Sequence, residues 1–356
     1  MKIVVLGGGQ QGRVIAADLA AARPDARVVV ADLHAPALPV LANLSAVEAD
    51  LSSAEAVARL LHGADLGVGA LPSRFGYAAM QGAIAAKRPF VDVSFSAENP
   101  LTLDAEARAA GVTIVPDAGL APGLSHLCCG HAASRGALDE LEISVGGVAQ
   151  DPTRPYGYVV TWSVEDLHEE YVRDARIMRD GRPLAVPVFS DLKRVTVDGA
   201  GELESFLSDG LRTLLDTMPE VPNMAERTLR WPGHVEQVKP LVASGRFVTE
   251  IRARCTAKPE LDLVAMVVLA RWKDGRAARM TLVDRYDAAT GLTAMARTTA
   301  LTTSVTAQVL ARGAVREPGV HMLERLGRDR AVYDAIVAGL AERGVRLRWL
   351  DEGARA

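Results

Sequence analysis

The chain has 356 residues, enough for two domains, and is 49% hydrophobic and 24% charged, ordinary figures for a protein that buries a large core. Its 40 Lys and Arg against 44 Asp and Glu give a formal charge of −4, which argues against nucleic acid or an anionic membrane as the main partner, since both need a clustered basic surface. No apolar run approaches the roughly 20 residues that span a bilayer, Met1-Lys2 leads straight into a short strand without a signal-peptide pattern, and three cysteines cannot build a disulfide framework, so the expectation is a cytoplasmic protein with no membrane partner.

Strand and helix patterns alternate through the first part. Lys2 to Leu6 is a β-branched run that stops at three glycines, and Gln11 to Ala22 reads as an alanine-rich helix ending before Pro24. Arg27–Ala31, Leu66–Val68, Phe90–Val93 and Val112–Val115 continue the strands, and a further strand ends before Asp50. Helical stretches lie between them at Ser53–Leu61, Gly76–Ala86 and Leu103–Ala110. Short apolar strands separated by helices imply a doubly wound parallel sheet covered on both faces.

After Pro116 the pattern changes. Pro122 to Arg135 reads as one more helix, and from Leu141 the strands lengthen and are joined by hairpins. Asp180-Gly181 lies between Ala175–Met178 and Leu184–Val186, and Asp274-Gly275 between Leu263–Trp272 and Ala278–Arg285. Asp-Gly pairs suit hairpin turns because these need positive φ. From Thr298 the sequence returns to helices, with Arg312-Gly313 and Arg343-Gly344 as helix ends. The expected fold class is α/β, a Rossmann sheet over residues 1–117 with a second α+β domain over 118–298 on a mainly antiparallel sheet. Residues 299–356 are expected to be C-terminal helices.

Gly7-Gly8-Gly9-Gln10-Gln11-Gly12 fits the G-x-G-x-x-G pattern of a dinucleotide site. Gly7 makes the turn after the strand, Gly9 lets the pyrophosphate approach the backbone, and Gly12 allows close helix packing. The helix opening at Gln10 and Gln11 offers its N–H groups to the phosphates. Asp32 ends the second strand, placed to bind both ribose hydroxyls and to repel a 2′-phosphate. That favours NAD as cofactor; the bland alternative is a glycine turn in a nucleotide-free fold. Asp50-Leu51, Ala70-Leu71-Pro72, Asp92 and Ser94 follow later strands and are expected to line the same crevice or to serve as turn formers.

Three patches beyond the first domain can hold a substrate. Asp117 to Gly123, rich in Gly and Pro, bends the chain near a ligand or acts as a hinge. Tyr156-Gly157-Tyr158 to Thr161-Trp162-Ser163 precedes an acidic run, Glu165 to Glu170, that reads chiefly as a solvated helix face. Arg230-Trp231-Pro232-Gly233-His234 offers a guanidinium for a substrate carboxylate. Its histidine stands at a helix N-terminus, where the dipole keeps it neutral, as general base or as cap. Tyr158, Ser163, Asp92 and Asp117 are the candidate substrate-binding residues, and Arg230 and His234 the candidate catalytic pair. His126, Cys128, Cys129 and His131 crowd one helix and read as packing, so no metal is expected.

GGGQQG (7–12), VPDAGLAPGLSHL (115–127), GGV (146–148), TWSVEDLHEEY (161–171), GELESFLSDGLRTL (201–214), TLRWPGH (228–234) and TGLTAMARTTALTTSVTAQVLARG (290–313) occur in one order along nearly the whole chain. In these segments the chain resembles the saccharopine dehydrogenase family, and within it the lysine 6-dehydrogenases. The resemblance implies oxidative deamination of an amino acid side-chain amine. Hydride passes to NAD, water hydrolyses the imine, and ammonia and allysine leave. It implies Arg230 on the α-carboxylate, His234 as base, Tyr158 and Ser163 on the other polar end, an alkaline optimum, C-terminal helices against the Rossmann domain, and a homo-oligomer. Two alternatives stand beside it. One is a saccharopine- or carboxynorspermidine-type enzyme, with Arg154 as a second carboxylate anchor; the other is a non-catalytic NAD-binding regulator.

Overall fold

The structure, a computed structural model, describes residues 1–352. By its internal contacts the chain divides into two units, one of residues 1–127 with 299–343, the other of residues 128–298 with the segment from Gly344 onward.

The first unit is built on seven parallel strands. In spatial order they are Gly319–Val320, Thr113–Val115, Phe90–Asp92, Leu66–Gly69, Lys2–Leu6, Arg27–Asp32 and Leu44–Glu48. The order reverses between Lys2–Leu6 and Leu66–Gly69, each of which then grows outward. That reversal opens the crevice in which doubly wound sheets bind ligands. The strands are apolar because helices cover both faces. Ile3 to Leu6 and Val28 to Ala31 are all buried. The helices Gln10–Ala22, Ala54–Leu61, Ser73–Ala85 and Asp104–Ala110 lie close to the ranges expected.

The C-terminal helices Ala294–Ala311 and Arg330–Glu342 return the chain to this unit. Asp18, on the first helix, accepts from Ser304 Oγ and from Arg343 Nε, both at 2.6 Å. Thr303 Oγ1 donates to the Ala118 carbonyl at 2.9 Å. Residues 118–127 belong to this unit rather than to the second.

Among the described residues the second unit is a nine-stranded sheet with one seven-strand path: Lys193–Val197, Gly201–Leu207, Asn223–Arg230, Leu138–Ala149, Asp262–Trp272, Ala277–Arg285, Arg348–Glu352. The hairpin Ala175–Arg179/Arg182–Val186 joins it at Asn223–Arg230. Asp180 and Gly181 both take positive φ, as a tight hairpin turn requires. All neighbours are antiparallel except Asn223–Arg230 beside Leu138–Ala149, which run parallel. The expectation of helices to the end of the chain is corrected here. After Gly344 the chain forms Arg348–Glu352, pairing antiparallel with Ala277–Arg285, because an edge with free backbone groups is available to it. Among the described residues, no helix is long and apolar enough to cross a membrane.

Candidate active site

In the first unit the glycine loop is shaped by its neighbours. Gly7 has φ +99, and a Cβ there would lie 2.5 Å from the Ala70 carbonyl oxygen; a Cβ on Gly12 would fall on the carbonyl oxygen of Gly7. Gly9 faces open space, and no side chain caps the helix that begins at Gln10. Bare helix-end N–H groups beside an open approach suit a pyrophosphate. Asp32 accepts from the Gly8 N–H at 2.5 Å, so one carboxylate oxygen holds the loop and the other is left for a ribose. Gln11 Oε1 is buried without a hydrogen-bond partner among the described residues, and Gln10 is exposed. These residues fit a dinucleotide.

Ala70 and Leu71 lie against Gly7, and Pro72 precedes the helix Ser73–Ala85. Other expectations change. Leu51 is buried in the hydrophobic core, so its side chain does not line the crevice. Asp50 is exposed and accepts from Ser52 N–H, a turn-forming bond. Asp92, at the end of strand Phe90–Asp92, and Asp117, two residues past strand Thr113–Val115, are both buried rather than open at the crevice surface.

In the second unit the site grows from strand Asn223–Arg230. Alternate residues share a face, and Glu226, Thr228 and Arg230 form a buried polar row. Arg230 Nε donates to the Tyr171 hydroxyl at 2.7 Å and Nη1 to the Leu229 carbonyl at 2.8 Å, while Nη2 lies 3.7 Å from Glu170. The guanidinium carbon stands 5.6 and 5.5 Å from the ring centres of Tyr158 and Tyr171, within cation–π reach. Burial opposes the charge, but Tyr171 and Glu170 more than offset it and hold the guanidinium above its ordinary pKa.

His234 is buried at the start of helix His234–Ala243. Burial, reinforced by Arg230, pushes its pKa down to about 3, so the ring is neutral. Nδ1 lies 2.7 Å from the Tyr156 carbonyl, which can only accept, so Nδ1 carries the proton. Nε2 is then the acceptor for the Tyr171 hydroxyl at 2.8 Å. Tyr171 therefore accepts from Arg230 and donates to His234. Burial raises the pKa of both Tyr171 and Tyr158 and keeps them protonated. Both ring nitrogens of His234 are thus engaged within the protein. The histidine fixes Tyr171, and Tyr171 fixes Arg230.

Ser163 is exposed and caps helix Val164–Glu170 by accepting from Asp166 N–H, so it is a helix cap rather than a substrate ligand. The acidic run splits. Glu165 pairs with Arg252 and Glu169 with Arg173 on the outer face, as a solvated helix would. Glu170 turns inward, accepting from Thr228 Oγ1 and facing Arg230.

Glu204, like Tyr171 and Glu170, is a residue sequence reasoning missed. From strand Gly201–Leu207 it accepts the N–H groups of Gly233 and Val235, each at 2.7 Å, and so clamps the turn between Arg230 and His234. Nothing local in GELESFL signals a helix cap thirty residues away. His126, Cys128 and Cys129 are buried, and no group of three potential metal ligands lies together among the described residues.

The fold and the glycine cradle define the class, a protein with a Rossmann-type dinucleotide-binding domain. The chain belongs to the saccharopine dehydrogenase family. Residues 3–115 match its NADP binding domain and residues 119–345 its C-terminal domain. The chain is similar to the NADP-dependent, L-glutamate-forming saccharopine dehydrogenase of Saccharomyces cerevisiae, 26% identical over 312 residues that cover 76% of this chain and 68% of that one. The corresponding enzyme of Pyricularia oryzae is 25% identical over 51% of this chain and 43% of its own length. Two solved structures share the fold. The yeast enzyme has TM-score 0.78 at 20% identity, covering 99% of this chain and 100% of that one. The NAD complex of homospermidine synthase from Legionella pneumophila has TM-score 0.74 at 14% identity, covering 99% and 91%.

Proposed function

We propose that the protein is an NAD-dependent amine dehydrogenase that oxidatively deaminates the side-chain amine of an amino acid, with L-lysine the preferred candidate. The observation that carries this is the buried Arg230, held charged among Tyr158, Tyr171 and Glu170 with its Nη2 in no hydrogen bond among the described residues. Such a guanidinium suits a carboxylate, and Glu170 beside it suits the neighbouring ammonium of an amino acid. The curated relatives are named for saccharopine and the solved neighbour for homospermidine synthesis, both compounds with a C–N bond on a secondary amine.

A bound nicotinamide dinucleotide supplies the hydride acceptor. The chain's part is to hold the amino acid at Arg230 and Glu170 while the carbon bearing the side-chain amine is oxidised. Water then hydrolyses the imine to an aldehyde and ammonia. An amine reacts only after losing its proton, so the optimum should be alkaline. Asp32 supports NAD over NADP, because a carboxylate repels a 2′-phosphate. A homo-oligomer, implied by the family resemblance, is part of the proposal and is read by light scattering.

A second reading rests on Arg154. It precedes the turn Pro155–Gly157 that carries Tyr156, and it makes no side-chain hydrogen bond or ion pair among the described residues. A second guanidinium there would serve the second carboxylate of a saccharopine-type substrate. Purified protein with NAD or NADP and a panel of L-lysine, L-ornithine, saccharopine and 2,6-diaminopimelate, followed by absorbance of the reduced nicotinamide, tests both. Turnover on lysine with ammonia release supports the first reading. Turnover on saccharopine alone supports the second, and dinucleotide binding without turnover on any amine refutes both.

A further inference from the structure

Asp92 ends strand Phe90–Asp92 with its side chain fully buried. Oδ2 accepts from both the N–H and the hydroxyl of Ser94, whereas Oδ1 has no hydrogen-bond partner among the described residues. The space it fills has been cleared on two neighbouring elements. A Cβ on Gly69, at the end of the adjacent strand, would overlap Asp92 Oδ1, and one on Gly76, in helix Ser73–Ala85, would overlap Ser94 Oγ. From just past strand Thr113–Val115 comes Asp117, itself buried and in left-handed backbone with φ +52. The Ala118 N–H next to it donates to the Asp92 carbonyl at 2.8 Å. Asp117 is the ionisable group found facing Asp92; the strand and the helix packed against it present glycines.

A buried carboxyl with one unsatisfied oxygen and a second carboxyl beside it is an expensive arrangement to keep without a use. Its place suggests the use. Doubly wound sheets take one mononucleotide half on each side of the reversal. The glycine loop and Asp32 serve the adenosine half, which leaves strands Leu66–Gly69, Phe90–Asp92 and Thr113–Val115 to the nicotinamide half. The oxidised and reduced forms of the dinucleotide differ there in one respect that charge can sense: the oxidised nicotinamide ring is a cation and the reduced ring is neutral.

We propose that Asp92, set against Asp117, is an electrostatic selector that makes the first unit prefer the oxidised over the reduced dinucleotide once it is ionised. The inference rests on the dinucleotide reading of the glycine loop and not on any particular amine substrate. Burial, with Asp117 adding, pushes the Asp92 carboxyl up to about 7. Below that pH the protonated acid offers no charge. Above it, the carboxylate favours the cationic ring, and binding of the oxidised form in turn releases a proton.

The test is equilibrium binding of NAD⁺ and NADH, and of the NADP⁺ and NADPH pair, by calorimetry between about pH 6 and pH 9. The ratio of the two dissociation constants cancels the shared pyrophosphate and adenosine contacts. In the wild type, the preference for the oxidised form should rise through about pH 7 by about tenfold for each pK unit of coupling. Proton release, read from buffers of different ionisation enthalpy, should accompany only the oxidised form. Asp92→Asn, an isostere, should flatten the ratio. Ser94→Ala, which removes a donor to the carboxylate, should move the transition to higher pH and keeps the idea testable should the first variant not fold. A pH-independent ratio in the wild type, or one that Asp92→Asn leaves unchanged, overturns the proposal. Failure to bind either form at any pH overturns the dinucleotide reading itself, and this proposal with it.

Discussion

Removing the Glu204 carboxylate should show how much of the second unit's site hangs on one side chain. Its two oxygens accept from Gly233 and Val235 N–H groups at 2.7 Å, and the side chain is buried. A hydrogen bond to a charged group contributes about 1.5–3 kcal/mol, and two that share one carboxylate overlap, so Glu204→Ala should cost about 3–5 kcal/mol. Glu204→Gln keeps one acceptor oxygen and sets an amide NH₂ against the other N–H, so it should cost about 2–3 kcal/mol. Trp231 sits in the clamped turn and donates its indole N–H to the Ala149 carbonyl at 2.8 Å, and with Trp162, Trp272 and Trp349 replaced by Phe its fluorescence becomes a local reporter. Urea unfolding followed at Trp231 should place the midpoints in the order wild type, Gln, Ala. Because the turn joins Arg230 to His234, kcat/KM on the substrate should fall in the same order. A cost below about 1 kcal/mol for Glu204→Ala, the range of an ordinary surface change, would refute the reasoning.

Three further outcomes are expected. Asp32→Ala combined with Leu33→Arg should move dinucleotide preference from NAD toward NADP, measured as a ratio of kcat/KM values; equal use of both by the wild type would remove the argument from Asp32. Tyr171→Phe deletes the hydroxyl between Arg230 Nε and His234 Nε2. It should cost about 2–4 kcal/mol by leaving two buried polar groups without a partner and should raise KM more than it lowers kcat, which steady-state kinetics and denaturation check together. His234 is neutral in the folded state, with its pKa down at about 3 against 6.5 for a free histidine. On acidification the unfolded chain takes up its proton first, so the stabilising contribution is complete above about pH 6.5 and is lost as pH falls toward 3, at about 1.4 kcal/mol per pH unit. The difference between wild-type and His234→Asn stability curves should carry this slope, and parallel curves would remove it.

The first unit was legible because its rules are local. A strand, three glycines, a helix and an acidic residue twenty positions on read directly as a parallel sheet with a nucleotide loop. That logic failed where one residue type serves two purposes. Leu51 follows a strand as a crevice residue would, yet its apolar side chain gains more from the core. Asp92 looks like a ligand at a strand end, and only the missing Cβ atoms of Gly69 and Gly76 reveal that it is sunk beneath the surface. In the second unit Arg230 and His234 stood out as a pair, but their partners come from far along the chain. Tyr171 lies 59 positions before Arg230, and Glu204 lies 29 before Gly233. Glu170 was hidden in an acidic run whose other members do face solvent, because helical periodicity alone does not say which carboxylate meets a strand from another element.

The return of the chain to each unit bears on how the protein is made. The first sheet is completed by Gly319–Val320 and its covering helix by residues up to Glu342, while the second gains an edge only with Arg348–Glu352. Neither unit is a continuous stretch of sequence. As the polypeptide leaves the ribosome, both remain open at one side until the last fifth of these residues has been synthesised. A truncation near residue 310 should therefore yield aggregation-prone material rather than a usable half, and attempts to separate cofactor binding from substrate binding call for point variants in the intact chain.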